Sequence, residues 1–189
     1  MIFEEDIKEC LKVLKKGGLI LYPTDTIWGI GADATNEKAV AKIYALKKRN
    51  EAKSMIILLA DENDILTYSA ETHPTVFDFI KGVRKPVTVV YRNAKNLAPN
   101  IINEDGSIGM RVVKNGFAKT LVEKFGKPVV STSANLSGYP PPGNFGDIDI
   151  EIKKAVDYIV QHLQDDTSLA TPSTVVTVDN KGEIIILRH

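Results

Sequence analysis

Thr174-Val175-Val176-Thr177-Val178-Asp179-Asn180-Lys181-Gly182-Glu183-Ile184-Ile185-Ile186-Leu187 closes the chain and decides which kind of sheet it builds. Two runs rich in β-branched residues flank a polar segment that ends in glycine, the pattern of an antiparallel hairpin. Parallel strands need long crossovers, so a hairpin appended to an α/β chain predicts a mixed sheet. Upstream, further strands are expected at Leu19-Ile20-Leu21-Tyr22 (stopped by Pro23), around Trp28-Gly29-Ile30-Gly31, at Met55 to Leu59, Val87 to Val90 and Ser107 to Val113, and at Pro128-Val129-Val130. Helical patterns separate them. Ile7, Cys10, Leu11 and Leu14 form one stripe, ended by Gly17-Gly18. Val40, Ile43 and Tyr44 form another behind a candidate N-cap, Asn36, and it runs to about Lys48. Asp61 to Gly82 reads as mainly helical, with Pro74 near one helix start. Phe117, Leu121, Val122 and Phe125 mark a helix closed by Gly126, and a short helix is expected from Glu151 to Val156. The expectation is one mixed α/β domain over residues 1–189, a twisted sheet with flanking helices.

Composition narrows the function classes. The 189 residues carry 24 basic and 24 acidic side chains, so no global field drives the chain to nucleic acid or membrane. The 43% apolar fraction suffices for a sizeable core. Cys10 is the single cysteine, which excludes an internal disulfide and fits a reducing compartment. Within its apolar stripe it reads as a small buried hydrophobe, not a nucleophile. Met1-Ile2-Phe3-Glu4-Glu5-Asp6 lacks a signal-peptide charge pattern, and no apolar run approaches the roughly 20 residues of a membrane span. A cytoplasmic, soluble protein is expected.

Four segments carry candidate chemistry. Lys47-Lys48-Arg49 and Lys53 concentrate cations just before an apolar strand, either to complement a helix C-terminus or to meet phosphate. Ser131-Thr132-Ser133-Ala134-Asn135 follows another strand and supplies uncharged donors, for ribose or phosphate or for an Asx/Ser turn. Tyr22-Pro23-Thr24-Asp25-Thr26 sits at a strand end, where α/β folds build ligand sites; Asp25 suits an ammonium, or else the segment caps its own turn. Arg111 lies inside the apolar strand Gly109-Met110-Arg111-Val112. A buried guanidinium demands an anionic partner, which can be a protein carboxylate as well as a ligand. Walker and dinucleotide glycine motifs are absent, and His73, His162 and His189 show no metal-ligand spacing. No Gly-x-Ser-x-Gly elbow supports a serine hydrolase.

In order, these segments resemble the YrdC-like family of threonylcarbamoyl-AMP synthases. The resemblance runs from Leu21-Tyr22-Pro23-Thr24-Asp25-Thr26 through Trp28-Gly29-Ile30-Gly31-Ala32-Asp33-Ala34, Lys47-x-Arg49, Pro86-Val87-Thr88-Val89-Val90 and Ile108-Gly109-Met110-Arg111-Val112. It continues through Ser133-Ala134-Asn135-x-Ser137-Gly138 to Ser173-Thr174-Val175 and Leu187-Arg188. It implies a YrdC-like fold around a concave basic pocket and an enzyme that joins L-threonine, bicarbonate and ATP into threonylcarbamoyl-adenylate, releasing pyrophosphate. The adenylate feeds modification of adenosine 37 in tRNA by downstream threonylcarbamoyl transferase proteins. Mg²⁺ would accompany ATP, with no metal site of the protein's own, and weak binding of tRNA or double-stranded RNA is a further implication. Carried over by position, Arg49, Lys53, Ser107, Ser133, Asn135 and Arg188 would face ATP. Thr26, Arg111, Ser131 and Ser173 would surround threonine, and Lys47 and Arg49 would stabilise charge at the α-phosphorus.

The chain departs from the family pattern at several points. Asn50 replaces a proline after the Lys-x-Arg arginine, Ser54-Met55 a Pro-Leu pair, Leu58 a histidine near threonine, and Pro141 a serine that contacts nucleotide. The end is shortened to Leu187-Arg188-His189, without the C-terminal domain of longer members. Gly138-Tyr139-Pro140-Pro141-Pro142-Gly143 reads as an ordered loop or lid. The rival readings are the YciO-like branch, which tends to lose Lys-x-Arg and Ser-x-Asn, and an RNA-binding module of the same fold without synthase activity. Both motifs stand here, which favours the synthase.

Overall fold

A computed structural model describes residues 3–48 and 55–188. The first helix, α1 (Glu4–Lys15), places Glu4, Glu5 and Asp6 in its first turn and Lys12 and Lys15 in its last, the order that suits the helix dipole. Gly17, at φ +70°, carries the chain out of it. Strands β1 (Ile20–Tyr22) and β2 (Gly29–Gly31) then form an antiparallel pair around the Pro23–Trp28 turn. Asn36 caps α2 (Glu37–Lys47) by accepting from the Ala39 N–H. After β3 (Ile56–Leu59) the expected helical region is broken into a 3₁₀ turn at Glu62–Asp64, a single turn α3 (Ile65–Tyr68) and α4 (Thr75–Gly82) that starts after Pro74.

The remaining elements are β4 (Val87–Tyr91), β5 (Ile108–Val112), α5 (Gly116–Phe125) and β6 (Val129–Ser133), then α6 (Ile150–Ala155), β7 (Tyr158–Ile159), β8 (Thr174–Val178) and β9 (Ile184–Arg188). Gly126, at φ +69°, ends α5 in the left-handed conformation. Among the described residues the strands form one nine-stranded sheet in the order β7-β1-β2-β6-β3-β5-β4-β8-β9. The β1–β7, β3–β5 and β4–β8 pairs are parallel and the others antiparallel, so the sheet is mixed as expected.

Two findings differ from the sequence reading. Ser131, Thr132 and Ser133 are strand residues of β6, paired with Ile56 on one side and with Ile30 and Gly29 on the other. Tertiary pairing on both edges overrides the turn preference of serine. Strand β7 was not expected: its two residues lie beside β1 because carboxylates stitch them there. Asp157 accepts from the Leu19 N–H at 2.7 Å, and the buried Asp6 accepts from the Tyr158 hydroxyl at 2.7 Å and from the Gln161 and His162 N–H groups.

The centre of the sheet is dry. Ile57 and Leu58 of β3, Ile108 of β5, and Val129 and Val130 of β6 are all fully buried, whereas Ile185, Ile186 and Leu187 on the outer strand β9 are about half exposed. Cys10 is fully buried and its thiol is pushed well above its ordinary pKa by burial, so it is packing material, as expected. Among the described residues no helix is long and apolar enough to cross a membrane.

Candidate active site

A cleft of about 770 Å³ opens over the sheet, within the range of sites that hold a nucleotide-sized ligand. Its lining brings together Thr26, Ser107, Arg111, Ser131, Ser133, Ser173 and Arg188, seven expected site residues that come from five separate parts of the chain. Arg49 and Lys53 lie outside the described residues.

The sheet explains the convergence. Gly109 and Arg111 share one face of β5 by the two-residue period of a strand, and both line the cleft. A Cβ on Gly109 would stand 2.9 Å from Ile56 Cγ2 and 3.2 Å from Thr88 Cγ2, so glycine keeps this floor low. Strand β6 runs antiparallel to β2 and sends Ser131 and Ser133 to the same side. Gly29, opposite Ser133, is similarly close-packed: a Cβ there would approach the Thr132 carbonyl at 3.3 Å and Ser131 Oγ at 3.4 Å. On the far wall Ser173 precedes β8, and its Oγ lies 2.8 Å from Thr88 Oγ1. Arg188, at the end of β9, donates from Nη2 to the Ser173 carbonyl at 3.1 Å.

Arg111 is the most constrained charge in the cleft. Its side chain is 4% exposed, and Nη2 lies 3.1 Å from Asp25 Oδ1 and 3.4 Å from Thr24 Oγ1. The anionic partner that the strand position demands is therefore, within the protein, a carboxylate of the β1–β2 turn. Burial raises the Asp25 carboxyl above its usual range, opposed by the Arg111 guanidinium. Burial likewise lowers the guanidinium pKa, and Asp25 opposes that. Arginine starts so high that it stays charged. The reading of Asp25 as an acceptor for a substrate ammonium is corrected: its carboxylate faces Arg111 and it is not among the lining residues.

Two other expected residues stand behind the lining. Lys47 is buried, and its ammonium donates to the Ser133 carbonyl. The cation that was to form the basic wall thus braces β6 instead of lining the cleft, since a buried ammonium takes the nearest backbone acceptor. Asn135 turns its amide into the following loop, where Nδ2 donates to the Leu136 carbonyl at 2.9 Å and to the Tyr139 carbonyl at 2.7 Å. The Leu136 carbonyl also accepts from the Tyr139 N–H at 3.2 Å, so Asn135 tightens a turn that the backbone already closes. The proline-rich loop beyond is ordered: Phe145 packs on Trp28 with ring centroids 4.9 Å apart, and Pro141 lines the cleft.

Sequence reasoning passed over three side chains that shape the site. Thr88 reads as an ordinary β-branched strand residue, but lines the cleft beside Ser173. Asp105 accepts from the Ser107 hydroxyl at 2.6 Å, while Asn103 donates to Ser107 Oγ at 2.9 Å. The short spacing of Asn103, Asp105 and Ser107 was the available signal, since Asx residues before a strand organise turns.

Comparison with known proteins agrees with this architecture. The family model Sua5/YciO/YrdC, described as "Telomere recombination", matches residues 12–189. The threonylcarbamoyl-AMP synthase of Photobacterium profundum is 33% identical over 143 residues, covering 72% of this chain and 76% of that protein. Among solved structures, P. abyssi Sua5 complexed with L-threonine superposes with a TM-score of 0.86 at 24% identity over 98% of this chain, which spans 54% of the Sua5 chain. E. coli YciO superposes with a TM-score of 0.83 at 24% identity, covering 98% of this chain and 89% of that one. The fold is therefore common to both branches, and the chain belongs to the Sua5/YciO/YrdC family.

Proposed function

We propose that this protein is a threonylcarbamoyl-AMP synthase, which joins L-threonine, bicarbonate and ATP and releases pyrophosphate. The observation that carries the reading is the convergence of Thr26, Arg111, Ser131 and Ser173 with Ser107, Ser133 and Arg188 in one nucleotide-sized cleft. The name of the P. profundum relative and the L-threonine held by P. abyssi Sua5 support it. The product would pass to enzymes that modify adenosine 37 of tRNA.

In this reading the threonine carboxylate meets Arg111, whose planar fork suits a carboxylate. Thr26, Ser131 and Ser173 offer hydroxyls to its polar atoms. The neutral amine attacks bicarbonate to give the N-carboxylate and water, and a carbamate oxygen then attacks the α-phosphorus as pyrophosphate leaves. Arg49, Lys53 and Arg188 would offset phosphate charge, and Lys47 would hold the Ser133 backbone in place. No side chain forms a covalent intermediate, so positioning and electrostatics carry the rate. Among the described residues no cluster of three or more His, Cys, Asp or Glu side chains is placed to hold a metal ion. Mg²⁺ would enter on the nucleotide's own phosphates.

The test is pyrophosphate release from ATP and bicarbonate with L-threonine, with L-serine and with no amino acid. Release that depends on L-threonine is expected. Release that ignores the amino acid would point to an ATP hydrolase, and no release at all to a YciO-like or RNA-binding role.

A further inference from the structure

Arg111 reaches the cleft from the middle of β5, and a single turn holds its inner side. The anchors on Nη2 are Asp25 and Thr24, both of the β1–β2 turn. That turn is itself locked: Thr24 Oγ1 donates to the Ile27 carbonyl at 2.7 Å, accepts from the Thr26 N–H at 3.1 Å and lies 2.9 Å from Thr26 Oγ1. Asp25, 12% exposed, stands in the backbone of this locked turn, between Thr24 and Thr26.

Two atoms of the pair remain buried with no hydrogen bond, Arg111 Nε and Asp25 Oδ1. The 3.1 Å approach of Nη2 to Oδ1 is thus a close ion contact, not an aligned hydrogen bond. The guanidinium is charge-compensated at Nη2 but has a buried donor, Nε–H, still to satisfy. Buried donors are normally paired, so the guanidinium is held at the cleft in an incompletely satisfied pose, set by its contacts at Nη2.

We propose that Asp25 is a positioning residue for amino-acid recognition. By holding Nη2 against the β1–β2 turn, it fixes the direction in which the Arg111 guanidinium meets the carboxylate of the bound amino acid. The inference rests on the synthase reading and deepens it. Asp25 does not line the cleft, so it acts through Arg111 and touches no substrate.

The experiment measures pyrophosphate release with L-threonine and ATP varied in turn, for the wild type, Asp25→Asn, Asp25→Glu, Arg111→Lys and the Asp25→Asn/Arg111→Lys double variant. Asp25→Asn should raise the threonine KM at least tenfold, about 1.4 kcal/mol, while the ATP KM stays within roughly twofold. Asp25→Glu should restore most of the loss. In the Arg111→Lys background, Asp25→Asn should add less than about twofold, because the orientation it supplied is already gone. An equal rise in both KM values, a fall in kcat at unchanged threonine KM, or full additivity in the double variant would overturn the proposal. Should Asp25→Asn fail to fold, the wild type still decides: its Arg111 Nε–H resonance, identified by its loss in Arg111→Lys, should shift on titration with L-threonine. No shift at saturating L-threonine would overturn the proposal. A wild type indifferent to threonine would instead sink the synthase reading itself.

Discussion

Arg111 and Arg188 line the same cleft and are held by opposite means. Arg111 stands on a central strand, 4% exposed, with a carboxylate 3.1 Å away. Arg188 stands on the outermost strand, exposed, with a backbone carbonyl as its acceptor. A charge in the middle of a sheet must be compensated from within, which costs desolvation and fixes its direction. A charge at the edge keeps its water, so it attracts anions at little structural cost but is screened by salt. One wall of the cleft is thereby built for selectivity and the other for attraction.

The largest effect should come from Arg111→Ala. It removes the carboxylate-binding fork and leaves Asp25 buried and unpaired, costing about 3–5 kcal/mol of stability in denaturant unfolding. Threonine-dependent turnover should fall by at least about a hundredfold, roughly 2.7 kcal/mol. If instead stability holds, the two arginines are not the opposites described. Gly109→Val tests the floor between them: its Cβ would stand 2.9 Å from Ile56 Cγ2, and overpacking of this kind costs about 1–3 kcal/mol. Because Gly109 lies below both parts of the cleft, the KM values for threonine and ATP should rise together. A rise in one alone would relocate the boundary between the two subsites.

Arg188→Ala should weaken ATP roughly tenfold at low salt, less at high salt, and change stability by under about 0.5 kcal/mol. A stability loss like that of Arg111→Ala would erase the contrast between edge and centre. The smallest effect concerns pH. Burial holds the Asp25 carboxyl above its ordinary value of 3.8, with Arg111 in opposition. The native protein therefore keeps this proton to higher pH than the unfolded chain does. Relative to Asp25→Asn, the wild type should lose stability as pH rises from 3.8 through the raised native value, then level off. A difference that grows with pH across that window would show the ion pair outweighing burial.

Much of the fold was legible because it is specified locally. The hairpin of β8 and β9, the Asn36 cap and the Gly126 stop are each written within a few residues. The site was legible as a set of types, and seven of those residues do converge. What escaped was specified from a distance. Serines expected to follow the strand, for ligand contact or for a turn, became part of β6 because β2 and β3 pair with it on both edges. Strand β7 owes its place to carboxylates on Asp6 and Asp157, not to its own pattern.

Periodicity, turn chemistry and motif order were thus enough for the mixed α/β class, the cleft-bearing segments and the family, since those depend on neighbours along the chain. Which charge answers which depends on neighbours in space. Only packing shows that Lys47 braces a carbonyl of β6, that Asn135 serves its own loop, and that Asp25 faces Arg111. A buried charge takes the nearest partner that the fold supplies, and linear order does not say which partner that will be.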